Sequence, residues 1–151
     1  MNWGRSEMKI RKGKLIDLHQ IYELLNETPE LLGGTEGFSY DKTWIKSALT
    51  DKEREFFLIA EENNMIVGIL SAELWKDKRY SFLIDIVVKP KWRKKGIASA
   101  LLREYEKYCV KIKIKRFNGL VLVTNKRMQN FLEKRNFKRG DIFYYYEKRL
   151  R

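Results

Sequence analysis

The stretch Ile84-Asp85-Ile86-Val87-Val88-Lys89-Pro90-Lys91-Trp92-Arg93-Lys94-Lys95-Gly96-Ile97-Ala98-Ser99-Ala100-Leu101-Leu102 decides how this chain is read. It opens on an apolar, β-branched run, which predicts a strand covered on both faces. A short basic loop follows, then a helix that begins with small residues. Strand, tight loop and helix N-terminus together make a phosphate-binding arrangement. The first helical turn leaves amide N–H groups unpaired, and the helix dipole favours an anion there. Gly96, Ala98 and Ser99 carry little side chain, so a ligand can approach the backbone closely. Lys89, Lys91, Arg93, Lys94 and Lys95 add five positive charges in seven residues. The segment is neither a P-loop nor a Rossmann turn, because the spaced glycines of both are absent. The alternative reading of the same pattern is a helix packed tightly on a strand through its small residues.

Working outward, Met8–Arg11 reads as a short first strand, and Leu18, Ile21, Tyr22 and Leu25 fall at helical spacing. Thr28–Ser39 holds Pro29, Gly33, Gly34 and Gly37 and reads as a loop. Asp41 is placed to cap a second helix through Leu49. Glu55–Ala60 and Met65–Trp75 are strands about a Glu61–Asn64 turn, and Phe82–Val88 is the long third strand of this run. The helix from Gly96 to Ile112 carries the stripe Ile97, Leu101, Tyr105, Tyr108 and Ile112. Phe117–Val123 is a further strand, Asn125–Arg135 a short helix, and Ile142–Tyr146 a last strand. The order βααβββαβαβ is a mixed α/β arrangement without strict βα alternation.

The chain has 151 residues, which fits one domain; residues 1–7 read as a loose leader and 8–151 as the domain. A composition that is 44% hydrophobic supports a packed core. Apolar runs are far shorter than the roughly 20 residues of a membrane span. No secretory h-region is visible, and the lone Cys109 has no intrachain disulfide partner, so a reduced, cytoplasmic location is expected. With one His and one Cys, a zinc site of the usual kind is not expected. The net charge of +12 is unevenly spread. Residues 1–75 hold 9 basic and 13 acidic side chains, whereas residues 76–151 hold 23 and 7. An anionic partner for the second half is the functional reading, and a solvated Lys-rich surface is the plain one.

The run Val88-x-Pro90-x-Trp92-Arg93-x-x-Gly96-Ile97-Ala98-x-x-Leu101-Leu102 resembles the signature of the GNAT superfamily of N-acetyltransferases. Asn125-x-x-Met128-x-x-Phe131-Leu132-Glu133-Lys134-Arg135-Asn136-Phe137 is similar to the second hallmark of that family, with Leu132 where a Tyr is usual and Asn136 where a Gly is usual. The resemblance implies an α+β fold with a mostly antiparallel central sheet, flanked by helices and splayed between its fourth and fifth strands. It implies acetyl-CoA as co-substrate and no metal. The thioester and pantetheine arm would pair with the backbone of Ile86, Val87 and Val88. The pyrophosphate would sit on the loop Arg93, Lys94, Lys95, Gly96, Ile97, Ala98 and Ser99, and Asn125 would meet the pantetheine side. The implied reaction is direct acetyl transfer to a primary amine: a protein N-terminus, a lysine or a small amine.

Such a reaction needs an oxyanion donor, a base for the amine and an acid for the thiolate. The Val88 N–H is the candidate oxyanion donor. Asp85, a carboxylate among apolar residues, is the candidate base, and Glu73 on the neighbouring strand is the second choice. With Leu132 in place of the family's Tyr, Tyr145 is the candidate acid, flanked by Tyr144 and Tyr146 on the last strand. Glu30 and Glu36, in the glycine-containing loop, are candidates to attract a cationic amine. His19 reads as surface and Cys109 as a buried structural thiol. The competing functions are an acyl-CoA-binding domain without catalysis and, less favoured, a basic nucleic-acid-binding module. A monomer or homodimer without membrane association completes the expectation.

Overall fold

The computed structural model describes residues 7–31 and 40–151. These divide into two compact units, Met1–Leu120 and Val121–Arg151. In the first unit, Lys9–Lys12 (β1), Glu55–Glu62 (β2), Met65–Trp75 (β3), Tyr80–Val88 (β4) and Arg116–Asn118 (β5) form one sheet in the order β1-β2-β3-β4-β5. Strands β1 to β4 are antiparallel neighbours, and β5 runs parallel to β4. Helices Leu18–Asn26 (α1), Lys42–Thr50 (α2) and Ile97–Lys111 (α3) flank the sheet. The expected mixed, mostly antiparallel sheet is therefore what forms.

Local chemistry explains the elements. The Asp41 side chain accepts a hydrogen bond from the Thr43 N–H and so caps α2. The β2–β3 hairpin turns on Asn63 and Asn64, both at positive φ (50° and 61°), a conformation that asparagine tolerates and tight hairpins need. The turn is thus narrower than the four residues expected, because Glu61 and Glu62 still pair with Ile66 and Met65.

Each face of the sheet is covered by different helices. On one face Ile21, Leu24 and Leu25 of α1 and Ile45, Ala48 and Leu49 of α2 pack with Phe57, Ile59, Ile69 and Val87. On the other face α3 buries Ile97, Leu101, Leu102, Tyr105 and Cys109. There Phe56 stacks on Tyr108 with ring centroids 4.4 Å apart, and the Tyr105 hydroxyl donates to Ser81 Oγ at 2.6 Å. Fully burying each such apolar side chain is worth about 1.5–3 kcal/mol.

Two expected elements differ. The strand expected over Phe117–Val123 is only β5, and at Gly119, just past its end, a Cβ would lie 2.7 Å from the Leu83 carbonyl oxygen. The chain passes Leu83 too closely there for a side chain, and ladder pairing stops. The expected strand Ile142–Tyr146 does not form, and its side chains are 74–87% exposed. Apolar alternation is a local signal, and it makes a strand only where a partner edge is supplied. In the second unit Lys126–Glu133 forms a helix, α4, as expected.

Gly68 on β3 sets the approach of α3. A Cβ there would meet Ile97 Cγ2 at 3.0 Å and both Leu101 Cδ1 and the Val87 carbonyl oxygen at 3.2 Å. Gly68→Val should cost about 2–3 kcal/mol, the penalty of overpacking a closed core. The expected result is a melting temperature lower by roughly 4–12 °C in a calorimetric scan.

Candidate functional site

The site begins where β4 loses a neighbour. β5 pairs only with Tyr80, Ser81 and Phe82, so among the described residues no strand pairs with that edge of β4 from Leu83 to Val88. Which backbone groups face the gap follows from the ladder. The Lys89 N–H donates to the Val67 carbonyl on β3 at 2.9 Å. Alternate residues point their backbone groups to opposite edges. Hence Val87, opposite Ile69, is turned toward β3, while Ile86 and Val88 turn theirs toward the gap. Of the three strand residues expected to meet a cofactor through their backbone, the register favours Ile86 and Val88. The Val87 side chain enters the core beneath α1 and α2.

The loop after β4 is held rather than slack. Pro90–Trp92 form a 3₁₀ turn, and the Arg93 Nε donates back to the Val88 carbonyl at 3.0 Å. Lys95 Nζ lies over the Trp92 ring, 4.8 Å from its centroid. Lys94 and Gly96 both adopt positive φ, 62° and 81°. Gly96 is the N-cap of α3, and a Cβ there would meet nothing within 4 Å. The glycine thus serves the turn, and the space in front of it is open. The first intrahelical bond runs from the Ala100 N–H to the Gly96 carbonyl at 3.0 Å. The N–H groups of Ile97 and Ala98 lie in the first turn, where the helix has no carbonyl of its own to meet them. Arg93, Lys94 and Lys95 directly precede that end in the chain and bring positive charge to the loop, the electrostatics an anion requires.

A β-bulge places the candidate base. Ser71 pairs with Asp85 and Ala72 with Leu83, so Ile84 is the extra residue. The bulge moves Asp85 to the face under α1 and α2, although simple alternation would keep it with Ser81 and Leu83. Asp85 is 5% exposed. Its Oδ1 accepts from the Tyr40 hydroxyl at 2.9 Å and its Oδ2 from Ser71 Oγ at 3.1 Å. Burial raises its pKa, and the two hydrogen bonds pull the other way. Tyr40 and Ser71 carried no functional signal in the sequence, because only the fold brings residues 40, 71 and 85 together.

Glu73, the second-choice base, is partly exposed on β3 directly opposite Glu55 of β2. A like-charge cross-strand pair is unfavourable. Burial first, then the Glu73 and Asp51 charges, push Glu55 up to about 7. Its Oε2 is sealed from solvent without a hydrogen-bond partner. Glu55, Glu73 and Asp85 all lie on one face of the sheet. Glu36 and the side chain of Glu30 fall outside the described residues. His19 lies on the exposed side of α1, 3.1 Å from Glu23. Cys109 is buried and its thiol is pushed up to about 11, chiefly by burial.

The remaining candidates sit in the second unit. Asn125 caps α4, its Oδ1 accepting from the Met128 N–H at 3.1 Å. Tyr145 is 78% exposed, and its hydroxyl donates to Glu147 at 3.4 Å. After α4, the Phe137 N–H reaches the Leu132 carbonyl and the Asn136 N–H reaches Glu133, with Asn136 at φ 67°. This double bond pattern ends a helix on a left-handed residue, a role that asparagine can fill in place of glycine. Among the described residues no group of three His, Cys, Asp or Glu could hold a metal ion, and no helix is long and apolar enough to cross a membrane.

The strand that parts from its neighbour is followed by a basic loop and by a helix whose N-cap, Gly96, makes no side-chain cap hydrogen bond. The profile described as "Acetyltransferase (GNAT) family" matches residues 18–137, and the chain belongs to that family of N-acetyltransferases. Several solved structures share the fold. The PaiA N-acetyltransferase of Thermoplasma acidophilum, in complex with coenzyme A, is 22% identical over 91% of this chain and 93% of its own, with a TM-score of 0.81. AAC(6')-Iy, in complex with the bisubstrate analogue CoA-S-monomethyl-acetylneamine, is 17% identical over 96% and 100%, with a TM-score of 0.78. The ribosomal-protein-S18-alanine N-acetyltransferase of Escherichia coli is 17% identical over 89% and 80%, with a TM-score of 0.72. No curated protein matches the chain in sequence.

Glu55 yields a prediction of defined sign. Its folded-state pKa of about 7 lies above the ordinary 4.5, so its ionisation disfavours the fold. Stability associated with protonated Glu55 is present in full below about pH 4.5 and is lost as pH rises through about 7. Glu55→Gln should therefore raise the melting temperature at pH 8 by roughly 2–5 °C and leave it nearly unchanged at pH 4.5.

Proposed function

We propose that this protein transfers the acetyl group of acetyl-CoA directly to a primary amine within a ternary complex. The observation that carries the reading is the free edge of β4. It offers the backbone of Ile86 and Val88 to a ligand, next to the basic loop and the start of α3. The pantetheine arm lies along Ile86 and Val88. The pyrophosphate is held by the backbone from Arg93 to Ser99, with Lys94 and Lys95 beside it. The Val88 N–H stabilises the oxyanion, an interaction whose loss costs roughly 3–4 kcal/mol of barrier.

Asp85 is the base, and Glu73 remains the second choice. The three carboxylates Glu55, Glu73 and Asp85 on one sheet face suit an acceptor that arrives as an ammonium ion. Holding amine and thioester together supplies much of the rate. Asn125 keeps the pantetheine-side role that the family resemblance gives it, and Tyr145 stays the candidate proton donor in place of the Tyr that Leu132 replaces. The family match runs through both units, which supports their acting as one acetyltransferase domain over residues 8–151. Leu132, where the family has a Tyr, favours a second reading, a domain that binds acetyl-CoA without transferring the acetyl group.

Acetyl-CoA should raise the melting temperature, by the equivalent of about 4 kcal/mol at a thousandfold excess over Kd. Gly96→Trp should abolish the shift while the unliganded protein still melts cooperatively. No shift at millimolar acetyl-CoA would sink both readings. Release of free CoA with a panel of alkylamines separates enzyme from binder. On the enzyme reading Asp85→Asn should lower kcat by about 10²–10⁴ without changing the acetyl-CoA shift.

A further inference from the structure

We propose that the Tyr40 hydroxyl takes the proton from the acceptor amine and passes its own proton to Asp85. The inference rests on the acetyltransferase reading above and adds a catalytic residue to it.

Asp85 is poorly placed to meet a substrate itself. It is 5% exposed and both its oxygens are occupied, one by Tyr40 and one by Ser71. Ser71 is 0% exposed, whereas Tyr40 is partly exposed. Of the two hydroxyls on the carboxylate, only the one from Tyr40 belongs to a residue that solvent reaches. Tyr40 is also fixed from several sides. Its N–H donates to Asn26 Oδ1 at 2.7 Å, and Asn26 Nδ2 donates to its carbonyl at 3.2 Å. Its ring packs against Trp44, centroids 5.8 Å apart, and Trp44 in turn meets Phe57 at 6.3 Å.

The proton movement balances. The acceptor ammonium loses one N–H bond, and that proton forms an O–H bond at Tyr40 Oη. The former Tyr40 proton forms an O–H bond at Asp85 Oδ1. The amine is left neutral with its lone pair free, tyrosine is regenerated neutral, and Asp85 becomes a neutral acid. The lone pair then attacks the thioester carbonyl carbon, the C–S bond breaks, and a second nitrogen proton balances the departing thiolate. Asp85 later returns its proton to solvent through the same hydroxyl. Desolvation strengthens Asp85 as a proton acceptor, against the pull of its two hydrogen bonds.

The test uses Tyr40→Phe, which keeps the ring and removes one oxygen. Two acceptors are compared: the alkylamine that releases most CoA with the parent protein, and methoxyamine, which is already neutral at pH 7. With the alkylamine, kcat should fall about 100-fold, KM should stay within about threefold, and Asp85→Asn added to Tyr40→Phe should cost little more. With methoxyamine the loss should be less than about a tenth as large, because no proton has to be removed first. Equal losses with both amines, a change confined to KM, or full alkylamine activity would each overturn the proposal. Full activity in Tyr40→Phe beside an inactive Asp85→Asn leaves the acetyltransferase reading intact, whereas absence of any acetyl-CoA shift in the parent defeats that reading instead. Should Tyr40→Phe not fold, the parent decides: its solvent deuterium effect on kcat/KM should be larger for the alkylamine than for methoxyamine, and equal effects overturn the proposal.

Discussion

A strand in the middle of a sheet must pair its N–H and C=O groups on both edges or find other partners for them. β4 does so on one edge throughout and on the other only through its first three residues. The unpaired remainder is the constraint around which the molecule is organised. One of the exposed carbonyls, that of Val88, is met by the Arg93 side chain, which also folds the basic loop back onto the strand. Gly119, lying against the Leu83 carbonyl, marks the point where the next strand departs. A ligand with its own amide groups, such as a pantetheine arm, has the chemistry that the free edge lacks.

The same strand separates two kinds of chemistry. Its alternation sends Val88 toward α3 and the anion-binding turn, and Val87 into the core under α1 and α2. The single extra residue at Ile84 then returns Asp85 to the α1–α2 face, where Tyr40 and Ser71 hold it. A carboxylate in such a place is expensive to keep charged, and that cost makes it a stronger base than an exposed aspartate. The charge imbalance of the chain fits this division. The +16 half supplies the loop after β4, whereas the −4 half supplies Glu55 and Glu73. One cofactor does not need all of the positive excess, and the rest lies on solvated faces of the chain.

Much of this was legible in the residues alone. The long periodic segments α1, α2 and α3, the hairpin of β2 and β3, and the strand–loop–helix at Val88–Ser99 were all readable. Their signals are local: spacing, a capping Asp41, two asparagines at a turn, a glycine before a helix. The two misread strands were also local readings. Phe117–Val123 and Ile142–Tyr146 have strand-like composition, but pairing depends on an edge that composition does not contain. Asn136 is the reverse case: it looked like a departure from the family pattern, and its left-handed φ shows it performing the task of the glycine.

By itself, then, the sequence determined most element types, the family signature and the strand–loop–helix turn, because each is written in neighbouring residues whose backbone preferences are short-range. Only the tertiary structure decided where the carboxylates sit and what surrounds them. A bulge of one residue, invisible in alternation, chose the face for Asp85. Register across β2 and β3 set Glu55 against Glu73 and raised its pKa. Packing brought Tyr40 across 45 residues of chain to the Asp85 oxygen. Desolvation and hydrogen-bond geometry are properties of assembled neighbours, and no residue carries them before the chain has folded.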